Sequence, residues 1–349
     1  MNKISNPKGG RLSNFELLRL LCMLMVLNLH SFFGYTHGDG VLQAFDFLRE
    51  STSICAVDTF ILISGYFGIK WRKKGIFNLL FQVLFYSFVV YGVCVVTGIL
   101  QFDKQGFLQC FKCYYDGWGF ITCYLVLYFV SPWLNAFSEK TDKRQLLYFI
   151  IIFFIAENFI FREAGALNFC LVYLIGRLLS KYDLNKLSKY AGWGYLISTM
   201  VIFLSVFTSY KILHYNSVEM NNFVLGYSYS SPFVIMQAVF LFLIFSRIQI
   251  TNKAINWCAA SCLSIFLIHM HPAIKEIGYL RFTENLYDKP LWQHVASLFV
   301  LFVAVFFGAI LIDKVRIIIS NITYKSLSNL AKPLKPRLEK ILSDHHSNN

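Results

Sequence analysis

Residues Phe15 to Tyr35 read FELLRLLCMLMVLNLHSFFGY. At 1.5 Å per residue a helix over this stretch crosses a hydrocarbon core of roughly 30 Å. The stretch is apolar enough to lie there, yet it carries Glu16, Arg19 and His30. An ionisable side chain inside a membrane span is expensive, so by default it faces other protein or a wet cavity and points to function. Arg19 and His30 are eleven residues apart, close to three full turns at 3.6 residues each, which sets them on one face about 16 Å apart along the axis. The rest of the chain is expected to wrap around that face.

The chain has 349 residues, of which 56% are hydrophobic and only 15% charged, and its mean hydropathy is +0.54. Soluble domains carry about a quarter charged residues. Apolar runs recur at about 15–35, 53–69, 75–100, 118–137, 145–161, 166–180, 191–210, 232–247, 254–270 and 291–313. The expected fold is therefore all-α, a polytopic membrane protein of about ten transmembrane helices with both termini cytoplasmic. Residues 1–14 read as a cytoplasmic lead, 15–320 as the transmembrane domain and 321–349 as a basic cytoplasmic tail on the membrane surface. The net charge of +13 sits mainly in short loops, where the positive-inside rule accounts for it better than nucleic acid does. No Walker loop or dinucleotide fingerprint appears, which argues against a transport ATPase. Cys110 and Cys113 share a loop placed outside; a disulfide and two plain thiols both fit, whereas a metal site needs more ligands nearby.

Reckoning depth along alternating spans puts His30 and Asp58 at one level in the outer half. A carboxylate beside an imidazole fixes its tautomer and stabilises its cation, so the two are expected to pair, although Asp58 serves equally as a helix-turn cap. Arg19 lies near the inner face with Arg177 and the loop of Lys70, Arg72, Lys73 and Lys74. Such a cluster suits phosphates, while topogenic charge explains the loop by itself and a Glu16 pair competes for Arg19. His269, His271 and, lower down, Ser264 end the ninth run; Glu157 lines the same cavity or snorkels. Ile63-Ser64-Gly65-Tyr66 offers close helix packing as readily as a direct role.

Four segments together resemble the acyltransferase-3 family of integral membrane acyltransferases. Glu16-Leu17-Leu18-Arg19 followed after ten residues by His30 is similar to its Arg-x10-His motif. Val57-Asp58-Thr59-Phe60-Ile61-Leu62-Ile63-Ser64-Gly65-Tyr66 resembles VDxFFxxSGY, with Ile61 for the second Phe. Trp118-Gly119-Phe120 through Tyr128 and Pro132 resembles its WFL…Y…P span, and Ser264-Ile265-Phe266-Leu267-Ile268-His269 its SxYLxH motif, with Phe266 for Tyr. The basic loop departs, since the family often shows RxxR and then Ile-x-Pro, and this loop has no proline. The resemblance implies an O-acyltransferase of the bacterial inner membrane. It would use acetyl-CoA or another acyl-CoA as donor substrate, with no permanently bound cofactor and no metal, and a polysaccharide or lipid-linked glycan hydroxyl as acceptor. On that reading His30 acts as general base or transient acyl carrier and Asp58 orients it. Arg19, Arg72, Lys73, Lys74 and Arg177 take the donor phosphates, and Ser264 or His269 meets the acceptor or the oxyanion. The competing readings are a transporter or flippase for a lipid-linked glycan, and an assembly subunit; the paired halves expected of a transporter are not visible.

Overall fold

The computed structural model describes residues 12–34, 36–37, 40–111, 118–161, 165–182, 184–214 and 226–331. These are 82% helix without a strand. Long Leu-, Phe- and Ile-rich runs form helices because only a helix satisfies every backbone N–H and C=O within its own segment. The main helices are α1 (Ser13–Leu29), α2 (Gly40–Ser53), α3 (Ala56–Phe67), α4 (Lys73–Val96), α5 (Gly119–Lys140), α6 (Lys143–Ile155) running on as a π-helical turn (Ala156–Phe161), α7 (Gly165–Leu179), α8 (Ala191–Leu213), α9 (Pro232–Ser246), α10 (Lys253–Ala259), α11 (Cys262–His269) and α12 (Leu291–Ala331).

Helix α1 is the hub, packing against α2, α3, α9, α10, α11 and α12. Its Phe15, Leu18, Cys22 and Leu27 are fully enclosed. Apolar surface gives little net drive for association between helices in lipid, so close steric fit carries more of the packing. The tightest seam joins α3 to α7. A Cβ added at Gly65 would run into the Tyr173 carbonyl oxygen, and one at Gly176 would lie 2.6 Å from the Leu62 oxygen. The packing reading of the Ser-Gly-Tyr segment thus holds for Gly65.

Among the described residues four helices are long and apolar enough to cross a membrane: those beginning at Lys73, Gly119, Ala191 and Leu291. A fifth crossing arises if the pair 253–269 and 272–288, bent by 54°, counts as one. Shorter helices occupy the other expected runs. The first covers 17 residues, and the second run is the 12-residue α3. The expected linker before residue 53 is a helix, α2. It lacks an apolar stripe because its inward face is polar: Gln43, Asp46, Arg49, Glu50, Ser51 and Ser53 are buried, while Val41 is 72% exposed.

The chain runs back and forth between two ends. Ser13 donates to the Asn252 carbonyl (3.3 Å) and Asn14 to that of Phe245 (3.0 Å). Lys181 donates to the carbonyls of Ser138 and Thr141 (3.1 Å to the latter), and the Lys143 ammonium lies 3.8 Å from the Tyr182 ring centre. With Gly68 beside the Arg177 guanidinium, Arg177 3.8 Å from Glu139 and Arg247 donating to the Ser188 carbonyl (3.2 Å), the basic loops gather at one end. Helix α12 passes without a break through residue 320, where the tail was expected to begin. The lead before residue 12, the tail beyond 331 and Cys113 lie outside the described residues; Cys110 is buried, its thiol 3.5 Å from the Ser87 carbonyl.

Candidate functional site

His30 caps the C-terminus of α1, and His269 is the last residue of α11. Their rings meet across the hub, His30 Nδ1 lying 2.8 Å from His269 Nε2. The other nitrogen of His269, Nδ1, is 2.6 Å from the Ile265 carbonyl. That oxygen only accepts, so His269 Nδ1 carries a proton. With both rings neutral, His269 Nε2 is then a lone pair and His30 Nδ1 donates to it, which leaves His30 Nε2 with a lone pair that no described residue engages. The tautomer of the first imidazole is thus fixed by a second imidazole and a main-chain carbonyl, the kind of outer support that orients a working histidine. His269 is buried and His30 half-buried, so the ring with the free lone pair is also the more accessible. Tyr279 braces the pair, its ring 5.0 Å from His269 and its hydroxyl donating to the Leu27 carbonyl at 2.6 Å.

The expected His30–Asp58 pair is not formed. Asp58 is buried on α3 and its Oδ1 accepts from Asn168 Nδ2 of α7 at 3.2 Å, while its Oδ2 has no partner among the described residues. Equal depth does not bring two residues together; α3 turns Asp58 toward the α7 seam. A run of ring contacts links the two pairs: His30 to Phe266 (6.1 Å), Phe266 to Phe120 (5.8 Å) and Phe120 to Phe169 (5.5 Å), the neighbour of Asn168. Glu157, in the π-helical turn, is buried with Oε2 unpartnered among the described residues. Ser264 does not join His269 either. Five residues earlier on α11, it is rotated about 140° from it and donates to Ser261 O (2.5 Å) and Ala309 O of α12 (3.4 Å). His271 contacts the Ser87 carbonyl through Nε2 (3.2 Å) and packs edge-on against Trp118 (5.5 Å).

At the basic end Arg19 is 2.9 Å from Glu16, one turn away, so the local pair is present. Arg72, Lys73 and Lys74 are exposed. Arg177 reaches the same turn: a Cβ on Gly68, whose φ is +71°, would lie 2.9 Å from its guanidinium, which is also 3.8 Å from Glu139. Only glycine adopts this backbone without cost. The turn is pinned by groups that the charge pattern does not reveal. Ile69 N–H donates to Tyr173 Oη (2.9 Å), Asn135 donates to the Ile69 carbonyl (2.9 Å), and Tyr173 Oη–H donates to Asn135 Oδ1 (2.7 Å). Pro132 explains a further anchor. It has no N–H for the carbonyl four residues back, that of Tyr128, and this oxygen instead accepts from Ser131 Oγ (2.8 Å) and from the Trp71 indole (3.0 Å). A proline inside α5 thereby ties down the loop of lysines and arginine.

Two further polar clusters were not foreseen. Arg49 donates to Asp46, to Asn28 Oδ1 (2.6 Å), to Ser31 Oγ (2.7 Å) and to Tyr287 (3.1 Å), and Tyr287 also donates to Asp46. It locks the segment after His30 onto α2. The other lies inside α12, where Asp313 accepts from Arg316 Nε (2.8 Å) and Tyr86 Oη (2.8 Å). Both acid–base pairs stand three apart in the sequence, a spacing that signals helix partners.

A family model described as an acyltransferase domain matches residues 12–314, most of the chain and every helix that builds the histidine pair. No curated protein and no solved structure matches it.

Proposed function

This chain belongs to the acyltransferase-3 family, and on that premise we propose that it is an O-acyltransferase of the bacterial inner membrane with about ten transmembrane spans and both termini in the cytoplasm. It takes an acetyl or similar group from an acyl-CoA and delivers it to a hydroxyl of a polysaccharide or lipid-linked glycan. The free lone pair on His30 Nε2, fixed through His269 and the Ile265 carbonyl, carries this reading. The acceptor oxygen attacks the thioester carbonyl while its proton passes to His30 Nε2. The C–S bond then breaks and the coenzyme leaves as a thiol, taking that proton. His269 is the positioning residue in this scheme. Asp58 acts through Asn168 and α7 on the walls of the site and not on the base itself.

The donor's phosphates fit the basic end, where Arg72, Lys73, Lys74 and Arg177 offer point charges and a guanidinium fork. Arg19 is half-neutralised by Glu16 and contributes through its remaining donors. The pantetheine arm spans the distance from that end to His30, about 16 Å by helical rise. The test is thiol release from acetyl-CoA by purified protein, followed by mass spectrometry of surface glycans from cells with wild-type or His30→Ala protein. Acyl-dependent mass shifts that vanish with His30 support the reading; unchanged acylation by a well-folded His30→Ala protein overturns it. A flippase would leave the thioester intact.

A further inference from the structure

We propose that the cleft at the basic end between α8 and α9 is a binding site for the phosphate of an anionic glycerophospholipid. The cleft has a volume of about 530 Å3 and is lined by Lys189, Gly192, Trp193, Leu196, Ile244 and Arg247, within the size range of small-molecule sites. Its chemistry is split. Lys189 and Arg247 are exposed at the rim, and among the described residues neither has a carboxylate partner. Arg247 is held in position by one bond, NH1 to the Ser188 carbonyl at 3.2 Å, leaving its other donors for a ligand. The opposite wall is apolar: Trp193 is 70% exposed and Leu196 51% exposed on the first turns of α8, where indole rings settle at a membrane interface. Cations above and an apolar wall below match a headgroup phosphate and the top of an acyl chain, and basic pockets between helices bind such headgroups. A free phosphate or nucleotide would make no use of the wall.

Gly192 supports the same reading. A Cβ there meets nothing within 4 Å, so no packing demands glycine, and within a helix it costs about 1 kcal/mol relative to alanine. Its absent side chain keeps the cleft open and the backbone N–H of the uncapped α8 start within reach of the anion. By contrast Gly194, two residues on and about 200° round the helix, is required by packing, since a Cβ would lie 2.5 Å from the Phe240 ring. The proposal does not depend on the acyl-transfer reading.

The test uses the full chain in detergent, analysed by native mass spectrometry against equimolar phosphatidylglycerol and phosphatidylethanolamine. Retention of phosphatidylglycerol about tenfold over phosphatidylethanolamine is expected from two cationic side chains. Lys189→Gln with Arg247→Gln removes that preference. Gly192→Leu fills the cleft and displaces the lipid while the melting temperature holds or rises. Undiminished preference in Gly192→Leu overturns the proposal, as does full displacement of the lipid by millimolar inorganic phosphate, which would make the site one for free anions.

Discussion

His30 and His269 are 239 residues apart in the chain and 2.8 Å apart in space, and the direction of the proton between them is dictated by the Ile265 carbonyl. On the proposed mechanism His30→Ala removes the general base, a loss of typically 10²–10⁴-fold. His269→Ala leaves the base in place but lets its ring turn and its tautomer exchange, a loss of the order of 10–100-fold, as for other supporting groups of a working histidine. Steady-state thiol release by the two variants, each with a wild-type melting temperature, measures the difference. Equal losses would make His269 a reacting group instead.

Pro132→Ala gives α5 the N–H that satisfies the Tyr128 carbonyl and so competes with the Trp71 indole for it. The helix gains stability while the basic loop loosens. A higher melting temperature is expected together with a raised KM for acyl-CoA and a kcat close to wild type.

Charge removal at Arg72, Lys73 and Lys74 is expected to raise the donor KM about tenfold at low salt, and the gap to wild type should close as salt screens exposed charges beyond about 10 Å. A KM that ignores both the substitution and the salt would show the loop to be topogenic only.

Gly65→Leu cannot be accommodated, because the obstruction is main chain and not a side chain that swings away. Overpacking costs typically 1–3 kcal/mol, occasionally more. Thermal unfolding in detergent should show a marked drop, whereas Gly192→Leu, with open space at its Cβ, should not.

Within α12, Asp313→Ala strands Arg316 as a buried unpaired cation, and breaking such a pair costs about 3–5 kcal/mol. The double variant Asp313→Ala with Arg316→Leu is expected to recover much of that loss in the same unfolding assay.

The sequence made the helical class, the hub helix and both histidines visible, since charged or titratable groups stand out against apolar runs. Pairing was harder. Depth along alternating spans supplies one coordinate, but rotation about the helix axis decides contact, and it turns Asp58 toward Asn168 and Ser264 toward Ala309. Helix α2 was hidden for the opposite reason, its polar residues being the buried ones. The anchors of the basic loop, Tyr173, Asn135 and the Tyr128 carbonyl, carry no charge and give no pattern from which to read them.

The Arg19–Glu16 pair has one more consequence, for biogenesis. It closes within a single helix, so it needs none of the neighbours that later enclose α1. The ribosome delivers α1 well before α9, α10, α11 and α12, four of the helices that bury it. An unpaired charge in a span is costly, up to about 2.5–3.5 kcal/mol at its centre and less toward its ends. A self-contained pair lets the nascent helix wait in the bilayer with its two charges already matched, leaving His30 and the neutral Asn28 for later neighbours to claim.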